Sequence, residues 1–194
     1  MTIAFVIGNG ISRQSISLPL VQRYGKTYGC NALYRDFAPD FLVAVGDTIV
    51  EEIANSDYPT DKIVYAHAEE LLAYPGKFYL IPQNLKYNAG TIAAYIAAFD
   101  GHKKVFLLGF DSHYGDAEPV NNVYRDTNGY APSGTLTSGE FADRALAHVV
   151  SVYNDVDFVR VASVASMAIH SELNALPNFR QVDYRQFVAE ADIG

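Results

Sequence analysis

Short apolar runs recur along the chain, each bounded by glycine, proline or charged residues. Runs of about four to eight residues rich in Val, Ile, Phe and Tyr are typical of β-strands. We therefore predict strands at Ile3–Ile7, Lys26–Cys30, Phe41–Val45, Lys62–Ala66, Lys77–Ile81, Lys104–Leu108 and Phe158–Ala162, with a weaker one at Phe179–Asp183. Three runs are apolar throughout, which is typical of strands covered on both faces: Ile3–Ile7, Phe41–Val45 and Val105–Leu108.

Stretches with helical spacing alternate with these strands. Thr48–Asn55 is short, Gly90–Phe99 consists almost wholly of Ala, Ile and Tyr, and a further short helix is predicted from Tyr184. Gly139–Tyr153 is the longest of these stretches. Its spacing predicts one buried side, made of Phe141, Ala145, His148, Val149 and Val152.

The alternation predicts one α/β domain over residues 1–194, with a Rossmann-like, doubly wound, mostly parallel sheet and helices on both faces. Ligands of such sheets bind beyond the carboxyl ends of the strands. Residues 112–138 differ from the rest, because they are rich in Gly, Asp, Asn, Pro and Tyr and show no periodicity. This segment is too long for an ordinary connection, so we interpret it as a functional, lid-like loop or a mobile insertion.

The charge and composition exclude several classes of protein. The formal net charge is -8, with 14 Lys and Arg that are scattered along the chain, so we expect no nucleic-acid polymer as partner. Binding of a small anionic ligand remains possible, since main-chain amides bind phosphate whatever the net charge of the protein. The single cysteine, Cys30, excludes an internal disulfide and a cysteine zinc site, and a cytoplasmic location is expected. No apolar run approaches the roughly 18 residues of a membrane span, and assembly into a homo-oligomer stays open.

The first candidate site is the loop after the first predicted strand, where Ile7 is followed by Gly8-Asn9-Gly10-Ile11-Ser12. Glycines let the backbone turn sharply and approach a phosphate, and the Ser12 hydroxyl can donate to a ligand or cap the next turn of the chain. The third glycine of the dinucleotide fingerprint is absent, so a standard NAD site is not expected. We predict that the amides of this loop hold a nucleotide phosphate; the alternative is a tight turn without a ligand.

Further candidates stand at other strand ends and at a helix start. Asn31 follows the strand Lys26–Cys30 and could contact a sugar hydroxyl or a phosphate oxygen, or it could simply satisfy a turn. Asn88 and Gly90 begin the Ala-rich helix, whose first amides could bind an anion or a ribose; Asn88 could also be only the helix N-cap. These positions all fall on the edge of the sheet where ligands bind.

The fourth candidate is Asp111, directly after Lys104–Leu108 and Gly109, which could bind a ribose hydroxyl, a base amino group or a metal. His113 is the histidine whose surroundings suit general acid–base catalysis. Asp111, His113 and Asp116 match no strong metal signature, so no metal site is predicted there. Three tyrosines of the loop could hydrogen-bond phosphate oxygens or could pack the loop down: Tyr114, Tyr124 and Tyr130.

Taken in order, these motifs resemble the bacterial sialyltransferases that use CMP-sialic acid. The resemblance covers roughly residues 3–165 and rests on Gly-Asn-Gly-Ile-Ser, on Cys-Asn-Ala-Leu-Tyr followed by Phe41–Asp47, on Asn-Ala-Gly, and on Val-Phe-Leu-Leu-Gly-Phe-Asp. It implies transfer from a nucleotide sugar to an unknown acceptor, without a required cofactor. It also implies roles for particular residues: Gly8, Asn9, Gly10 and Ser12 at the phosphate and ribose, Asn31 at the phosphate or sugar, Gly90 and Asp111 near the ribose and base, and residues 112–138 as the lid.

The family carries its general-base histidine in the lid, shortly before a helix, whereas residues 132–137 of this chain contain no histidine. This departure leaves three hypotheses. The chain is a transferase in which His113 is the base and Asp111 a second catalytic residue, or a non-catalytic nucleotide-binding module. The third hypothesis is a metal-dependent enzyme like the pterin pyrophosphokinases, which resemble this scaffold; it would need magnesium and the carboxylates of Asp47, Asp111 and Asp116.

Overall fold

The computed structural model describes residues 2–111, 121–131, 139–162 and 169–193. These residues form a single sheet in which every pair of neighbouring strands is parallel. The eight strands of the described part are β1 (Ile3–Ile7), β2 (Lys26–Cys30), β3 (Phe41–Val43), β4 (Ile63–Ala66), β5 (Tyr79–Leu80), β6 (Lys104–Leu108), β7 (Asp157–Val161) and β8 (Phe179–Val182).

The strand order is β5-β4-β3-β2-β1-β6-β7-β8, so the chain winds outward from β1 in one direction and later in the other. The first strand therefore lies in the middle of the sheet, between β2 and β6. The change of direction between β1 and β6 is the switch point at which doubly wound sheets open a crevice beyond their carboxyl ends. The predicted fold class is confirmed.

Helices connect the strands within the described ranges. They are α1 (Leu18–Val21), α2 (Asp47–Ala54), α3 (Tyr58–Asp61), α4 (Ala68–Ala73), α5 (Ala89–Phe99), α6 (Gly139–Val152), α7 (Ser171–Asn174) and α8 (Tyr184–Glu190), with 3-10 turns at Ile11–Ser15, Asn31–Arg35 and Pro82–Asn84. None of these helices combines the length and the apolar character that a membrane crossing requires.

The two faces of the sheet carry separate apolar layers. Alternate residues of β1 point to opposite faces, because successive side chains of a strand alternate. Phe5 packs in the layer that includes α2 and α8, whereas Val6 packs in the layer that includes α5 and α6. Helices thus cover both faces, which explains why the central strands are apolar throughout.

The buried side of α6 differs from the predicted one. Ala145 and Val149 are buried, but Phe141 and Val152 are 51% and 59% exposed. The prediction of a buried position is therefore wrong for Phe141, for Val152 and for His148, which is also exposed. The buried side also includes Leu146, Ala147 and Val150, so apolar residues occur on more than one side of α6 and spacing alone selects the wrong one; it also assigns the buried Asp143 to solvent.

Two further differences concern short elements. Strand β3 ends at Val43, two residues before the predicted end, because the amide of Val45 donates to the side chain of Asn31 at 2.9 Å and not to a neighbouring strand. The helices α1, α3, α4 and α7 have four to six residues each and were not predicted. Helices of one turn are too short to show the 3.6-residue period on which the prediction depends.

Candidate functional site

A cleft of about 260 Å³ opens at the carboxyl ends of β1, β2 and β6, between the first turn of α5 and the beginning of α6. Its position is the switch point of the sheet, where ligands of doubly wound folds bind. Seven of the eight predicted nucleotide-binding residues line it: Gly8, Asn9, Gly10, Asn31, Asn88, Gly90 and Asp111. Four separate stretches of sequence therefore meet in one cleft.

The amides of the glycine loop are used within the protein. The amide of Gly8 donates to the carbonyl oxygen of Leu108 at 2.8 Å, and that of Gly10 donates to Gly109 at 2.9 Å. These bonds extend the pairing of β1 with β6 past the ends of both strands. The Gly8 and Gly10 amides are therefore already satisfied within the protein, while both residues line the cleft, and their contact with a nucleotide stays a prediction.

Close contact between two backbones explains the glycines. A Cβ atom on Gly8 would lie 2.6 Å from the carbonyl oxygen of Gly109, and one on Gly10 would lie 2.5 Å from Cγ of Asp111. Gly109 itself has a φ of +67°, which side-chain-bearing residues rarely adopt. The loop after β1 and the loop after β6 can therefore interlock only because these three positions lack side chains.

Asp111 and Ser12 join the same two loops. The carboxylate of Asp111 accepts hydrogen bonds from the Ser12 amide at 2.8 Å and from the Ser12 hydroxyl. Asp111 lines the cleft, whereas Ser12 does not. Hydrogen bonds to a carboxylate are among the strong ones, so this contact fixes the turn that follows Gly10.

The N-terminus of α5 faces the cleft. Asn88 is the N-cap: its Oδ1 accepts from the Thr91 amide at 3.0 Å, and its Nδ2 donates to the Thr91 hydroxyl at 3.0 Å. The N-cap interpretation of Asn88 is confirmed. The amides of Ala89 and Gly90 belong to the first turn, where no helical carbonyl can accept them, and both residues line the cleft. They carry the positive end of the dipole of an 11-residue helix.

Asn9, Asn31 and Tyr130 meet at one wall of the cleft. Asn31 has a φ of +51°, a left-handed conformation that asparagine tolerates better than most residues. The Nδ2 of Asn9 lies 3.4 Å from the carbonyl oxygen of Cys30 and 3.3 Å from the Tyr130 hydroxyl, whose pKa burial raises to about 12. The Oδ1 of Asn9 is buried and has no hydrogen-bond partner among the described residues. This wall therefore offers an acceptor to a ligand.

Residues 121–131, the described middle of the predicted loop, are hydrogen-bonded to the glycine loop. The Ile11 amide donates to Oδ1 of Asn121 at 2.8 Å, and the Val123 amide donates to the carbonyl oxygen of Asn9 at 2.8 Å. Tyr124 receives a hydrogen bond from the buried Arg13 at 2.7 Å. Tyr124 thus packs the segment down, in line with one of the two interpretations of the loop tyrosines.

A second attachment joins this segment to α2. The guanidinium of Arg35 donates to the Thr127 hydroxyl and to the Asn128 carbonyl oxygen, both at 2.8 Å, and to both oxygens of Glu52 at 2.7 and 2.6 Å. The hydrogen bonds from Arg35 lower the pKa of Glu52 to about 2. Residues 121–131 consequently form a fixed wall of the cleft. Residues 112–120 and 132–138, which include His113, Tyr114 and Asp116, lie outside the described residues.

The structure adds to the cleft several residues that the sequence did not suggest, among them Thr91, Asn121 and one buried carboxylate. Asp143 of α6 lines the cleft and is 2% exposed. Its Oδ1 lies 3.7 Å from the guanidinium of Arg160, which is fully buried in β7, and its Oδ2 accepts from the His170 amide at 3.0 Å. A signal exists in the sequence, because Arg160 interrupts an apolar strand and Asp143 stands within an apolar helix pattern.

Of the three carboxylates named for a metal-dependent enzyme, the two that the structure describes, Asp47 and Asp111, are not brought together. Asp47 begins α2 and borders a different cavity, next to Glu51 and Glu70, whereas Asp111 lines the cleft. Within the described ranges no three His, Cys, Asp or Glu side chains are grouped as a metal site would need.

No protein-family model matches the chain, and no curated protein matches it in sequence. Solved structures of one sialyltransferase are similar to it in fold. Campylobacter jejuni CstII in complex with the substrate analogue cytidine-5'-monophosphate has a TM-score of 0.56 at 12% identity, over 99% of this chain and 98% of that chain. A substituted CstII in complex with CMP gives 0.56 at 11%, over 100% and 99%. The complex with CMP-3FNeuAc gives 0.53 at 13%, over 99% of each chain. These likenesses show the shared fold.

Proposed function

We propose that this chain is a sialyltransferase-like glycosyltransferase domain whose cleft binds a nucleotide or a CMP-linked nucleotide sugar. The observation that carries the proposal is the convergence of seven predicted residues on one cleft at the switch point of the sheet. Support comes from the structures of similar fold, which hold CMP or CMP-3FNeuAc.

The phosphate belongs at the N-terminus of α5. The amides of Gly8 and Gly10 donate to the carbonyl oxygens of Leu108 and Gly109, whereas those of Ala89 and Gly90 have no acceptor within the helix. No Lys, Arg or His side chain lines the described part of the cleft. An anion would therefore bind there to main-chain amides and at the positive end of the helix dipole. Binding of this kind is compatible with a net charge of -8.

The reaction would be a direct displacement at the anomeric carbon of the donor sugar. The acceptor oxygen forms a bond to that carbon, the bond from the carbon to the phosphate oxygen breaks, and CMP leaves with the electron pair. The proton of the acceptor hydroxyl passes to a general base, for which His113 is the candidate, with Asp111 as the second catalytic candidate. Residues 112–138, of which residues 121–131 form a wall of the cleft, would cover the donor and exclude water.

A second candidate function is a nucleotide-binding module without catalysis. Two observations favour it. No histidine lines the described part of the cleft, and both oxygens of Asp111 already accept hydrogen bonds from Ser12. Such a module would bind the nucleotide at the same amides and would not turn over the donor.

Thermal denaturation of the chain with CMP, CDP, UDP and ATP, each with and without magnesium, tests the proposal. Ligand that binds only the folded chain at 100 times its Kd stabilises by about 2.7 kcal/mol, so a rise in Tm with CMP alone is expected. A rise only with ATP and magnesium would contradict it. Hydrolysis or transfer of CMP-sialic acid then separates the transferase from the non-catalytic module.

A further inference from the structure

A second cavity, of about 430 Å³, borders the wall that residues 121–131 form. Asn122 lines the nucleotide cleft, whereas the next residue, Val123, lines this cavity. The start of the chain is divided in the same way, with Gly10 at the cleft and Arg13 at the cavity. The volume falls within the range of roughly 300–1,000 Å³ that is usual for small-molecule sites. The cavity is therefore a neighbour of the cleft and a separate candidate for ligand binding.

A buried arginine lines this second cavity. Arg13 is 4% exposed, and one of its Nη2 hydrogens is donated to the Tyr124 hydroxyl at 2.7 Å. The same Nη2 lies 3.7 Å from Oδ2 of Asp36. The Nε of Arg13 is buried and has no hydrogen-bond partner among the described residues. A buried donor without an acceptor is costly, so an oxygen atom of a ligand would improve the surroundings of Arg13.

The cavity also offers polar side chains that both donate and accept. Gln14 and Ser17 line it and are exposed, and the Ser17 hydroxyl makes no capping hydrogen bond with the helix that follows. A primary amide and a hydroxyl each combine donor and acceptor capacity. Among the described lining residues only Arg13 and Asp36 are charged, so the formal charges of the lining cancel. This balance favours an uncharged ligand over an anion or a cation.

The remaining lining is apolar. Ile16 and Leu18 are buried, and the rings of Pro19 and Phe37 contribute further apolar surface. A pyranose sugar combines apolar C–H faces with hydroxyl groups that donate and accept, and it carries no charge. Such a molecule matches a cavity that has apolar walls, a donor in Arg13 and mixed polar groups around it.

We infer that this second cavity binds an uncharged sugar unit. The Arg13 guanidinium donates to a sugar oxygen, Gln14 and Ser17 exchange hydrogen bonds with neighbouring hydroxyls, and the ring packs against Phe37. The inference is independent of the proposed nucleotide site, because the cleft and the cavity have no described lining residue in common.

Amide NMR shifts of the full chain test this inference, with the methyl glycosides of glucose, galactose and mannose as probes. At least one glycoside should shift the amides of Ser17, Phe37 and Val123 in a saturable manner, while those of Ala89 and Gly90 in the cleft stay unchanged. Sodium acetate serves as the charged probe and should shift the cavity amides less at equal concentration, because Asp36 balances the charge of Arg13.

The double replacement Gln14→Ala with Ser17→Ala removes two groups that are proposed to bind the sugar. Both side chains are exposed, so the chain should fold, and the Kd of the glycoside should rise about tenfold from the loss of two hydrogen bonds. Gln83→Ala is the matched control, since Gln83 is an exposed glutamine that lines neither the cleft nor the cavity. The control should keep the original Kd.

Each other result would overturn the inference. Absence of shifts with all three glycosides, shifts confined to the cleft amides, or a larger response to acetate would each exclude a site for an uncharged sugar in this cavity. An unchanged Kd in the double variant, or an equal rise in the control, would exclude the proposed contacts. CMP reports on the cleft separately through Ala89 and Gly90, so a failure to bind CMP would overturn the proposed function and leave this inference standing.

Discussion

The amide and the hydroxyl of Ser12 both donate to the carboxylate of Asp111, and this contact joins the loop after β1 to the loop after β6. The two loops belong to opposite halves of the sheet order. The walls of the cleft on either side of the switch point are therefore linked through one carboxylate.

Asp111→Asn should lower the free energy of unfolding by about 1–3 kcal/mol, because it removes the charge from two charge-assisted hydrogen bonds. Ser12→Ala, which removes only the hydroxyl, should cost about 1 kcal/mol. Urea denaturation measures both. A loss for Asp111→Asn no larger than the roughly 0.5 kcal/mol of an ordinary surface replacement would contradict the linking role.

Asn9→Asp should abolish the rise in Tm that CMP produces. One carboxylate oxygen of the new side chain would face the Cys30 carbonyl oxygen, and the added charge would lie in the cleft that is proposed to hold a phosphate. Asp155→Asn controls for a general change in charge at an exposed site. An unchanged ligand-induced shift would remove Asn9 from the binding site.

Gly10→Ala and Gly90→Ala should act differently. A Cβ on Gly10 would lie 2.5 Å from Asp111 Cγ and 2.6 Å from the backbone oxygen of Gly109, so a loss of about 1–3 kcal/mol in stability is expected. A Cβ on Gly90 would lie 3.3 Å from the Phe110 ring, which can shift, and alanine favours a helix over glycine by about 1 kcal/mol.

Gly90→Ala should therefore leave the stability unchanged or raise it, while CMP affinity falls because the methyl group stands next to the proposed phosphate position. Denaturation and calorimetric titration of the two variants give both quantities. Equal affinity of the unaltered and Gly90→Ala chains would place the phosphate elsewhere.

The pair of Arg35 and Glu52 should contribute to stability in a defined pH range. The hydrogen bonds from Arg35 lower the pKa of Glu52 from 4.5 to about 2 in the folded chain. A group with a depressed pKa stabilises the fold above its unfolded pKa, and this contribution is lost as the pH falls from about 4.5 to about 2. Glu52→Gln should therefore remove part of the acid destabilisation in that range, as measured by urea denaturation at several pH values. Identical acid profiles would contradict the contact.

His113→Ala should slow turnover of CMP-sialic acid and spare the binding of CMP, if His113 is the general base. Initial rates and calorimetric titration separate these two effects. His148→Ala is the matched control, since His148 is an exposed histidine of α6 that does not line the cleft. Equal rates for the unaltered and His113→Ala chains would exclude the role.

The strands could be predicted because their signal is local. The runs Ile3–Ile7, Lys26–Cys30 and Lys104–Leu108 have the predicted bounds, since each consists of residues that favour strands and is followed directly by Gly or Asn. The site could be predicted in part for a related reason: parallel strands end at one edge, so polar residues that follow them come close together.

The hydrogen bonds of the glycine loop could not be predicted. The acceptor of the Gly8 amide depends on the strand that pairs with β1. That strand is β6, which lies far from β1 in the sequence. The ion pair of Asp143 and Arg160 was missed for the same reason. Each is a charged residue within an apolar pattern, and the sequence does not show that the two lie next to each other. Local sequence patterns show the periodicity of one element, but they do not show which residue of another element it contacts.

The central position of β1 also constrains how the chain folds. Lys104 follows Ile7 by 97 positions, so the pairing of β1 with β6 must close a long loop. The entropic cost of closing this loop precedes the favourable contacts between the two strands. Contacts of such large sequence separation slow folding. A fragment that stops before Lys104 would keep one flank of the cleft and lack the other, so the cleft should form only late in folding, when the two halves of the sheet have joined.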